Sequence, residues 1–373
     1  MRNIRVTKVT SRKDLKKFIF FPWKVYKNYP NWVPPLVMEF KEKINKEKNP
    51  FFEHAEMDLF LAYRNGEITG RIAGIVDQNH NNFHDEKVVF FGLYESYDDL
   101  KTAKALLEKV AEWGRERGME ILRGPTNLSM NDEPAFLLEG FDSPPVVMMP
   151  YNPEYYLELM EKCGLVKVKD LYAYYMTRED HVVAQIAQIV TKARAEIPLM
   201  LRTIDLKNLK EEAARVKYIY NNAWEKNWGF VPWTDDEIDH LAKKFKVVAD
   251  PDLVIIAEYE GKPIAFAFAL PNLNEVIKRI NGRLTPLGIL KFLYYRKKIK
   301  GIRVMVFGIL KEYRHTGVSY MLYSELDKNS RNKSYEWCET SWQLEDNEPV
   351  NRFVESLGGK VYKKYRIFEK KIL

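Results

Sequence analysis

Cysteine is scarce in this chain, and long hydrophobic runs are missing. Cys163 and Cys338 are the only two thiols among 373 residues. They are too few for a disulfide framework or a tetrahedral sulfur site, which indicates a reducing compartment. No stretch approaches the roughly 20 apolar residues that a membrane-spanning helix needs. The apolar run 18–23 is also too short for the core of a signal peptide, so we expect a cytoplasmic protein.

Metal ligands and a strong charge are also missing. The six histidines show no ligand spacing with cysteines or acids, so we predict no metal site. His80 and His84 are four residues apart in the chain, but the asparagines around them indicate a turn. The net charge of +7 is mild for this length, so it permits an anionic ligand without requiring nucleic acid. The basic segment 291–300 can either contact phosphates or form a solvated face.

What the chain does contain is a repeat. Its length suggests two domains, and each half predicts the order helix, hairpin, strand, helix, strand, helix and strand. Residues match as well, because 91–93 (Phe-Gly-Leu) aligns with 307–309 (Phe-Gly-Ile), and 59–76 parallels 254–270. We predict two copies of a mixed α/β (α+β) unit, each a mostly antiparallel, twisted sheet flanked by helices.

The boundaries of the copies follow from this repeat. The first domain is predicted to span residues 1–178 and the second to span 199–373. A helix over 179–198 is expected to link them.

One stretch of the second copy has the pattern of an anion-binding site. Residues 304–310 (Val-Met-Val-Phe-Gly-Ile-Leu) are typical of a buried strand. A short turn with Arg314 and Gly317 follows, and then an amphipathic helix. The N–H groups and the dipole at the start of a helix favour a negatively charged ligand. Arg314 can contact a phosphate, and Gly317 lets the backbone approach it closely.

The first copy lacks this pattern. Asp98 and Asp99 stand where the second copy has Arg314 and His315. Two carboxylates cap a helix well, but they repel a pyrophosphate. We therefore predict one phosphate site, in the second copy, and a degenerate first copy with a structural or substrate-shaping role.

Residues 312–319 resemble the fingerprint of the GNAT superfamily, the acyl-CoA N-acyltransferases. In that family Glu, an aromatic residue and Arg end a strand, and Arg/Gln-x-x-Gly-x-Gly/Ala opens the next helix. Here the segment is Glu-Tyr-Arg-His-Thr-Gly-Val-Ser, in which Ser319 replaces the usual last small residue. Asn347 and Gly358 match the Asn and the Gly of a second signature in the same family. Because the repeat unit occurs in both halves, the chain resembles a tandem GNAT protein with a degenerate N-terminal copy.

The resemblance implies acetyl-CoA or another acyl-CoA as co-substrate, and no metal. The pantetheine arm would pair with the backbone of 307–310, and the pyrophosphate would lie on the amides of 316–319. This requires the strand to separate from its neighbour, predicted over 335–342. The donor-binding residues implied in this way are Phe307, Ile309, Leu310, Arg314, His315, Thr316, Gly317, Val318, Ser319 and Asn347.

The resemblance also implies that an amine attacks the thioester directly, with the N–H of Ile309 stabilising the oxyanion. The candidate catalytic residues are Glu339, Glu345 and Asn347. The alternative for the two acids is an ordinary surface role. The family often protonates the departing thiolate with a tyrosine, but Val354 stands at that position here.

The acceptor would contact a tryptophan cluster. Trp224, Trp228 and Trp233 lie between the first helix and the hairpin of the second copy, and with Trp342 they are predicted to line the substrate site. Simple packing is the alternative. The expected function is an acyl-CoA-dependent N-acyltransferase, with acetyl transfer to a primary amine of a small molecule or peptide. The alternative function is a non-catalytic or regulatory module that binds acyl-CoA.

Overall fold

The computed structural model describes residues 4–177, 180–333 and 335–372. The first part of the chain contains β1 (Arg5–Lys8), α1 (Arg12–Phe20), α2 (Pro22–Val25), α3 (Val37–Lys43), β2 (Ala55–Arg64), β3 (Glu67–Asp77), α4 (Gln78–His84), β4 (Val88–Ser96), α5 (Leu100–Arg115), β5 (Ile121–Gly124), β6 (Phe136–Glu139), α6 (Tyr155–Lys162) and β7 (Val166–Thr177). The second part contains α7 (Asp180–Glu196), β8 (Met200–Thr203), α8 (Leu209–Ala223), α9 (Asp235–Val248), β9 (Val254–Tyr259), β10 (Lys262–Pro271), α10 (Asn274–Ile277), α11 (Pro286–Arg296), β11 (Gly301–Ile309), α12 (Val318–Asn332), β12 (Trp337–Leu344), α13 (Glu348–Ser356) and β13 (Lys360–Lys371).

The chain forms two compact units. Unit 1 comprises the chain up to Leu171, Ile277–Phe292 and the residues from Lys363 onward, and unit 2 comprises Tyr172–Val276 and Leu293–Tyr362. Two segments of the predicted second domain therefore lie in unit 1. The predicted end of the first domain, at residues 178 and 179, lies outside the described residues, so the boundaries of the repeat remain a prediction.

Unit 1 contains a sheet in the order β1-β2-β3-β4-β5-β13. Its pairs are antiparallel except for the parallel pair of β4 and β5. The predicted hairpin of β2 and β3 turns at Asn65 and Gly66, with φ angles of 54° and 86°, as an Asn-Gly turn requires. Helix α5 covers the sheet with the apolar residues predicted for it, namely Ala103, Leu106, Leu107, Val110 and Ala111.

Unit 2 contains a sheet in the order β8-β9-β10-β11-β12. Its pairs are antiparallel except for the parallel pair of β11 and β12. Helices α7 and α12 share its core, to which they contribute Val182, Ile186, Val190, Ala193, Val318, Met321, Leu322 and Leu326. The predicted fold class, mixed α/β with mostly antiparallel sheets flanked by helices, is confirmed in both units.

Two local predictions need correction. His80 and His84 lie in helix α4 and not in a turn, since Asp77 caps that helix through the N–H groups of Asn79 and His80. Helix α9 was not predicted, although Thr234 and Glu237 form a capping box at its start.

Within residues 4–177, 180–333 and 335–372, the helices and the potential ligand side chains bear on membrane and metal binding. Every helix in these ranges is too short or too polar to cross a lipid bilayer. No cluster of three or more His, Cys, Asp and Glu side chains in these ranges is arranged to hold a metal ion.

Candidate functional site

Strands β11 and β12 pair over their first residues and then separate. The described parallel pairs run from Gly301–Trp337 to Val304–Thr340. Beyond them β11 continues to Ile309 and β12 to Leu344, with no further pair between the two strands among the described residues. On its other edge β11 stays paired with β10 as far as Ile309. The predicted separation of the two strands is therefore present.

The separation leaves backbone groups of β11 at an open edge. Leu310 N donates to Ile264 O of β10 at 3.0 Å. Because successive residues of a strand direct their N–H and C=O groups to opposite edges, Phe307 and Ile309 direct theirs away from β10. Ile309 O accepts a hydrogen bond from Arg314 Nε at 3.3 Å. The edge that diverges from β12 therefore presents the amide groups of Phe307 and Ile309.

Helix α12 begins after this edge without a side-chain cap. Its N-cap residue Gly317 has a φ of 78°, in the left-handed region that favours glycine. Thr316 N donates to Tyr313 O at 3.3 Å, and Thr316 Oγ1 donates to the same oxygen at 2.7 Å. Of the four amides predicted to hold a pyrophosphate, that of Thr316 is thus used within the turn. The amides of Gly317, Val318 and Ser319 form the start of the helix.

Gly317 has a second role that the sequence did not show. A Cβ atom at this position would lie 2.6 Å from the Cβ of Ala193 in α7, which is closer than two carbon atoms can pack. The glycine therefore allows α7 to pack against the first turn of α12. This packing accounts for Gly317 independently of any ligand.

The guanidinium group of Arg314 binds backbone carbonyls. Besides Ile309 O, it donates from Nη2 to Ala223 O, the last residue of α8, at 2.6 Å. Arg314 thus joins the end of β11 to the end of α8, and its predicted contact with a phosphate remains a prediction. His315, the next residue, is exposed at the surface.

Aromatic rings occupy the side of β11 that faces α12 and α13. The ring of Phe353 lies 5.7 Å from that of Phe307 and 5.1 Å from that of Tyr320. The hydroxyl group of Tyr320 is 3.4 Å from Ser356 Oγ. Val354 is buried, and its Cγ1 would lie 2.7 Å from a Cβ atom at Gly359. Val354 is therefore a packing residue.

Three buried polar atoms accompany β12 and α13 where the strands separate. Thr340 forms the last described pair with β11, and Trp342 follows on the same face of the strand. Thr340 Oγ1, Trp342 Nε1 and Asn351 Oδ1 are buried and have no hydrogen-bond partner among the described residues. Buried polar groups are almost always hydrogen-bonded. A polar group of a ligand could therefore supply the hydrogen bonds that these three atoms lack.

The predicted catalytic residues lie on and after β12. Glu339 is fully buried and stands in register with Arg303 of β11, which is also buried. Glu345 is partly buried in the turn after the strand. Asn347 is the N-cap residue of α13, and its carbonyl group accepts from Val350 N at 3.1 Å. The structure brings these three residues to one strand and the turn that follows it.

Cys338, which precedes Glu339 in β12, is a free cysteine. Burial raises the pKa of Cys338 to about 12. The thiol is therefore protonated at neutral pH and not nucleophilic.

Two of the predicted tryptophans, Trp224 and Trp233, pack against Tyr220 of α8. Trp224 lies over Gly308, where a Cβ atom would be 2.4 Å from its ring. Trp233 stacks on Tyr220 with 3.9 Å between ring centroids, and Tyr220 also contacts Trp224 at 4.9 Å. Trp228 is partly buried in the loop between α8 and α9. The glycine at position 308 thus makes room for an aromatic ring on the α8 side of the strand.

Glu339 lies on this same side of the sheet. Phe266, opposite Gly308, contacts Trp224 at 6.1 Å. Leu270 stands four residues further along β10, on the same face, and pairs with Arg303, which pairs with Glu339. A buried carboxylate and the Trp224 ring therefore share one face of the sheet in unit 2.

In the first copy, the corresponding strand edge is filled by the chain itself. The described pairs of β4 with β5 end at Phe90–Arg123. Beyond them Thr126 N donates to Phe91 O at 2.9 Å, and Leu93 N donates to Asn127 Oδ1 at 2.9 Å. Local sequence patterns cannot reveal this insertion, because Leu93 and its partner Asn127 are 34 residues apart in the chain.

Gly92 makes this insertion possible. A Cβ atom at Gly92 would lie 1.7 Å from Thr126 O. The inserted segment is also held on its far side, where Ala135 N donates to Pro125 O at 2.8 Å. We call residues 125–127 the plug.

The N-terminus of α5 in the first copy is capped by a side chain. Asp99 is the N-cap residue of α5, and its carboxylate accepts from Thr102 N at 3.0 Å and from Arg64. Matched by their N-cap positions, Asp99 corresponds to Gly317, whereas the sequence aligns it with His315. Burial on its own would raise the pKa of Asp99, but the hydrogen bonds from Arg64 and Thr102 outweigh it and lower the pKa. The carboxylate is thus charged and occupies the position of an anion.

Comparisons with known proteins agree with these two copies. A scan against known protein families gives no match. The chain is 36% identical over 376 residues to the bacterial ceramide synthase of Caulobacter vibrioides, covering 99% of this chain and 97% of that protein. It is 34% identical over 370 residues to protein YghO of Escherichia coli, covering 97% and 94% of the two chains.

A solved structure shares the fold. A tandem GNAT protein from the clavulanic acid biosynthesis pathway superposes with a TM-score of 0.59 at 10% identity, covering 100% of this chain and 99% of that one. The chain therefore has the fold of a tandem GNAT protein and belongs to the family that includes YghO and the bacterial ceramide synthase of Caulobacter.

Proposed function

We propose that the chain is an acyl-CoA-dependent N-acyltransferase and that its donor site lies in the second copy. The observation that carries this proposal is the open edge of β11 followed by the uncapped start of α12. An extended arm with amide groups can hydrogen-bond to such an edge, and a pyrophosphate suits such a helix start. The cytoplasm, where acyl-CoA is made, is the proposed location.

The donor would contact residues along the open edge of β11 and the start of α12. Its pantetheine arm would bind the amide groups of Phe307 and Ile309, beside Leu310 and Asn347. Its pyrophosphate would lie at Gly317, Val318 and Ser319, with Arg314, His315 and Thr316 in the turn. Thr340, Trp342 and Asn351 supply polar atoms next to the same opening.

The reaction would proceed by direct attack. The amine nitrogen forms a bond to the thioester carbonyl carbon, the carbonyl oxygen becomes an oxyanion held by Ile309 N–H, and the C–S bond then breaks. Glu339 is the proposed acceptor of the amine proton, since it is a buried carboxylate on the side of Trp224. The departing thiolate needs a proton that Val354 cannot supply. Tyr320 brings a phenol to the space between α12 and α13 and is the proposed donor.

We further propose that the acceptor is a long-chain amine and that the acyl group is a fatty acyl group. This step rests on the full-length relative named bacterial ceramide synthase. A ceramide is a long-chain amino alcohol whose amine carries a fatty acyl group in an amide bond. Acetyl transfer to a small amine or a peptide, the expectation from the sequence, is the competing choice of substrates.

A coupled assay decides between these choices. The purified chain is given acetyl-CoA or palmitoyl-CoA with either sphinganine or ethanolamine, and the released CoA is measured with a thiol reagent. We expect release with palmitoyl-CoA and sphinganine, and the amide product in a mass spectrum. Release with acetyl-CoA and ethanolamine alone would contradict the long-chain assignment but keep the reaction class.

The proposed base has its own test. Glu339→Gln keeps the shape of the side chain but cannot accept a proton. We expect kcat to fall by about 100-fold or more, while the Kd for CoA stays unchanged. If kcat fell and the affinity for CoA weakened by the same factor, Glu339 would instead be a residue that only supports the sheet.

A second candidate function is a non-catalytic module that binds acyl-CoA. The observation that favours it is Val354, a buried packing residue at the position of the usual proton donor. CoA binding without any CoA release from the four substrate pairs would support this function and overturn the first.

A further inference from the structure

Helix α11 presents apolar side chains to solvent. A surface helix normally turns its apolar stripe toward the core. In α11 the inward side is formed by buried Gly288 and partly buried Phe292 and Tyr295. The outward side chains are 46–66% exposed and comprise Leu287, Ile289, Leu290, Leu293 and Tyr294.

These outward side chains form one continuous face. On a helix, residues three and four apart are neighbours. Leu290 therefore lies at the centre, with Leu287 and Tyr294 on one flank and Ile289 and Leu293 on the other. Since one unbroken helix carries the whole face, its shape depends on α11 alone.

The face continues at the C-terminal end of the helix. Arg296 Nη1 donates to Val247 O, near the end of α9, at 3.4 Å. The side chain of Val247 is 71% exposed. This contact in unit 2 adds a further apolar side chain beside the last turn of α11.

The chain around α11 carries charge of one sign. Residues 276–300 contain eight Lys and Arg residues and no Asp or Glu. Lys291, Lys297 and Lys298 are exposed on the helix or directly after it. Lys298 Nζ donates to Tyr294 Oη at 2.6 Å, so a cation stands at the rim of the apolar face. Exposed leucines rimmed by lysines are the pattern of a helix that lies in a membrane interface.

We propose that α11 is a docking helix for a bilayer that contains anionic phospholipids. The leucine side chains would enter the boundary between head groups and acyl chains, and the lysines would contact lipid phosphates. The protein would then lie on the membrane surface without crossing it. This inference does not rest on the proposed reaction, because it uses no residue of the donor site.

Other occupants fit this surface less well. A twofold contact with a second copy brings the same surface of each chain together, so it would place two segments of eight cations beside each other. A nucleic acid would match the charge but not the five apolar side chains. An anionic bilayer satisfies both the charge and the apolar face.

Vesicle flotation with the full chain tests the proposal. Vesicles of phosphatidylcholine alone are compared with vesicles that contain 30% phosphatidylglycerol. We expect binding at least tenfold tighter to the anionic vesicles, and weaker binding as salt is raised. Failure to bind anionic vesicles, or equal binding to both compositions, would overturn the proposal.

Matched variants separate the face from the rest of the surface. Leu290→Glu combined with Leu293→Glu should reduce vesicle binding at least tenfold, and Lys297→Gln with Lys298→Gln should reduce it less. Val166→Glu, at an equally exposed residue of β7, should bind as the wild type does. The leucine pair should melt at the wild-type temperature, because its side chains are exposed. A wild-type dimer that separates on this change, with vesicle binding kept, would assign the face to a second copy instead.

Discussion

The two copies complete the same strand edge in different ways. In the first copy, the plug takes up the backbone groups of β4 at Phe91 and Leu93. In the second copy, the edge of β11 at Phe307 and Ile309 has diverged from β12. The helix that follows differs in the same sense, since Asp99 caps α5 while α12 starts at Gly317 without a side-chain cap.

On the proposed function, this difference explains why one copy of the repeat would bind a ligand and the other would not. Backbone N–H and C=O groups away from water need a partner. The first copy supplies partners for Phe91 O and Leu93 N from its own chain, so these two groups are taken. The second copy leaves the corresponding groups to whatever binds there. We therefore expect a copy without a ligand site to carry internal hydrogen bonds at this edge.

The largest expected effect comes from forcing the plug out of the first copy. Gly92→Ala places a methyl group where Thr126 O lies, so we expect a loss of roughly 3 kcal/mol in the free energy of unfolding. Urea denaturation measures it. Gly118→Ala is the control, because a Cβ atom at Gly118 has no neighbour within 4 Å; only the positive φ of Gly118 opposes that change, which should cost about 1 kcal/mol. Equal losses in both variants would mean that the plug is not tightly packed.

The second largest effect is expected when a carboxylate, such as Asp99 supplies in the first copy, is introduced at the matching helix start of the second copy. Ser319→Asp places a carboxylate in the first turn of α12, where it suits the helix dipole but repels a pyrophosphate. We expect the affinity for CoA to fall about 100-fold with no loss of thermal stability. Calorimetry with CoA checks this, and Ser319→Asn is the uncharged control. Unchanged binding in Ser319→Asp would place the phosphates elsewhere.

The smallest effect concerns the cap of the first copy. Asp99→Asn keeps a good N-cap residue but removes the charge that pairs with Arg64. The pKa of Asp99 is lowered in the folded state, so its contribution is complete above the unfolded pKa of about 3.9 and is lost as the pH falls through the folded value. We expect about 0.5 kcal/mol at pH 7, since the pair is partly exposed and screened.

The measurement for this last variant is urea denaturation at several pH values. The difference in stability between wild type and Asp99→Asn should shrink below pH 4. A difference that is constant from pH 7 to pH 2 would show that the charge of Asp99 does not contribute.

Local patterns predicted the elements of both copies well. The Asn65-Gly66 turn, the apolar face of α5 and the strand before α12 follow from periodicity and turn chemistry, which act over a few residues. The start of helix α9 is also encoded locally, because Thr234 and Glu237 have the spacing of a capping box.

The contents of the candidate site were less predictable. The plug depends on hydrogen bonds between residues far apart in the chain, which no periodicity encodes. The guanidinium group of Arg314 donates to Ala223 O. The sequence did not predict this partner, because a long side chain can reach groups that are distant in the chain. The proximity of Ala193 to Gly317 likewise required the packing of two helices.

The last strand has a consequence for how the protein is made. The C-terminal segment of β13 belongs to unit 1, where Phe368 pairs with Gly124 and is buried with Tyr365. A domain built from the start of a chain usually folds while the ribosome is still working. Here the first unit must wait with an open sheet edge until the residues of β13 have been translated. A stop codon that removes residues 363–373 would therefore leave the N-terminal unit, and not only the C-terminal one, incomplete.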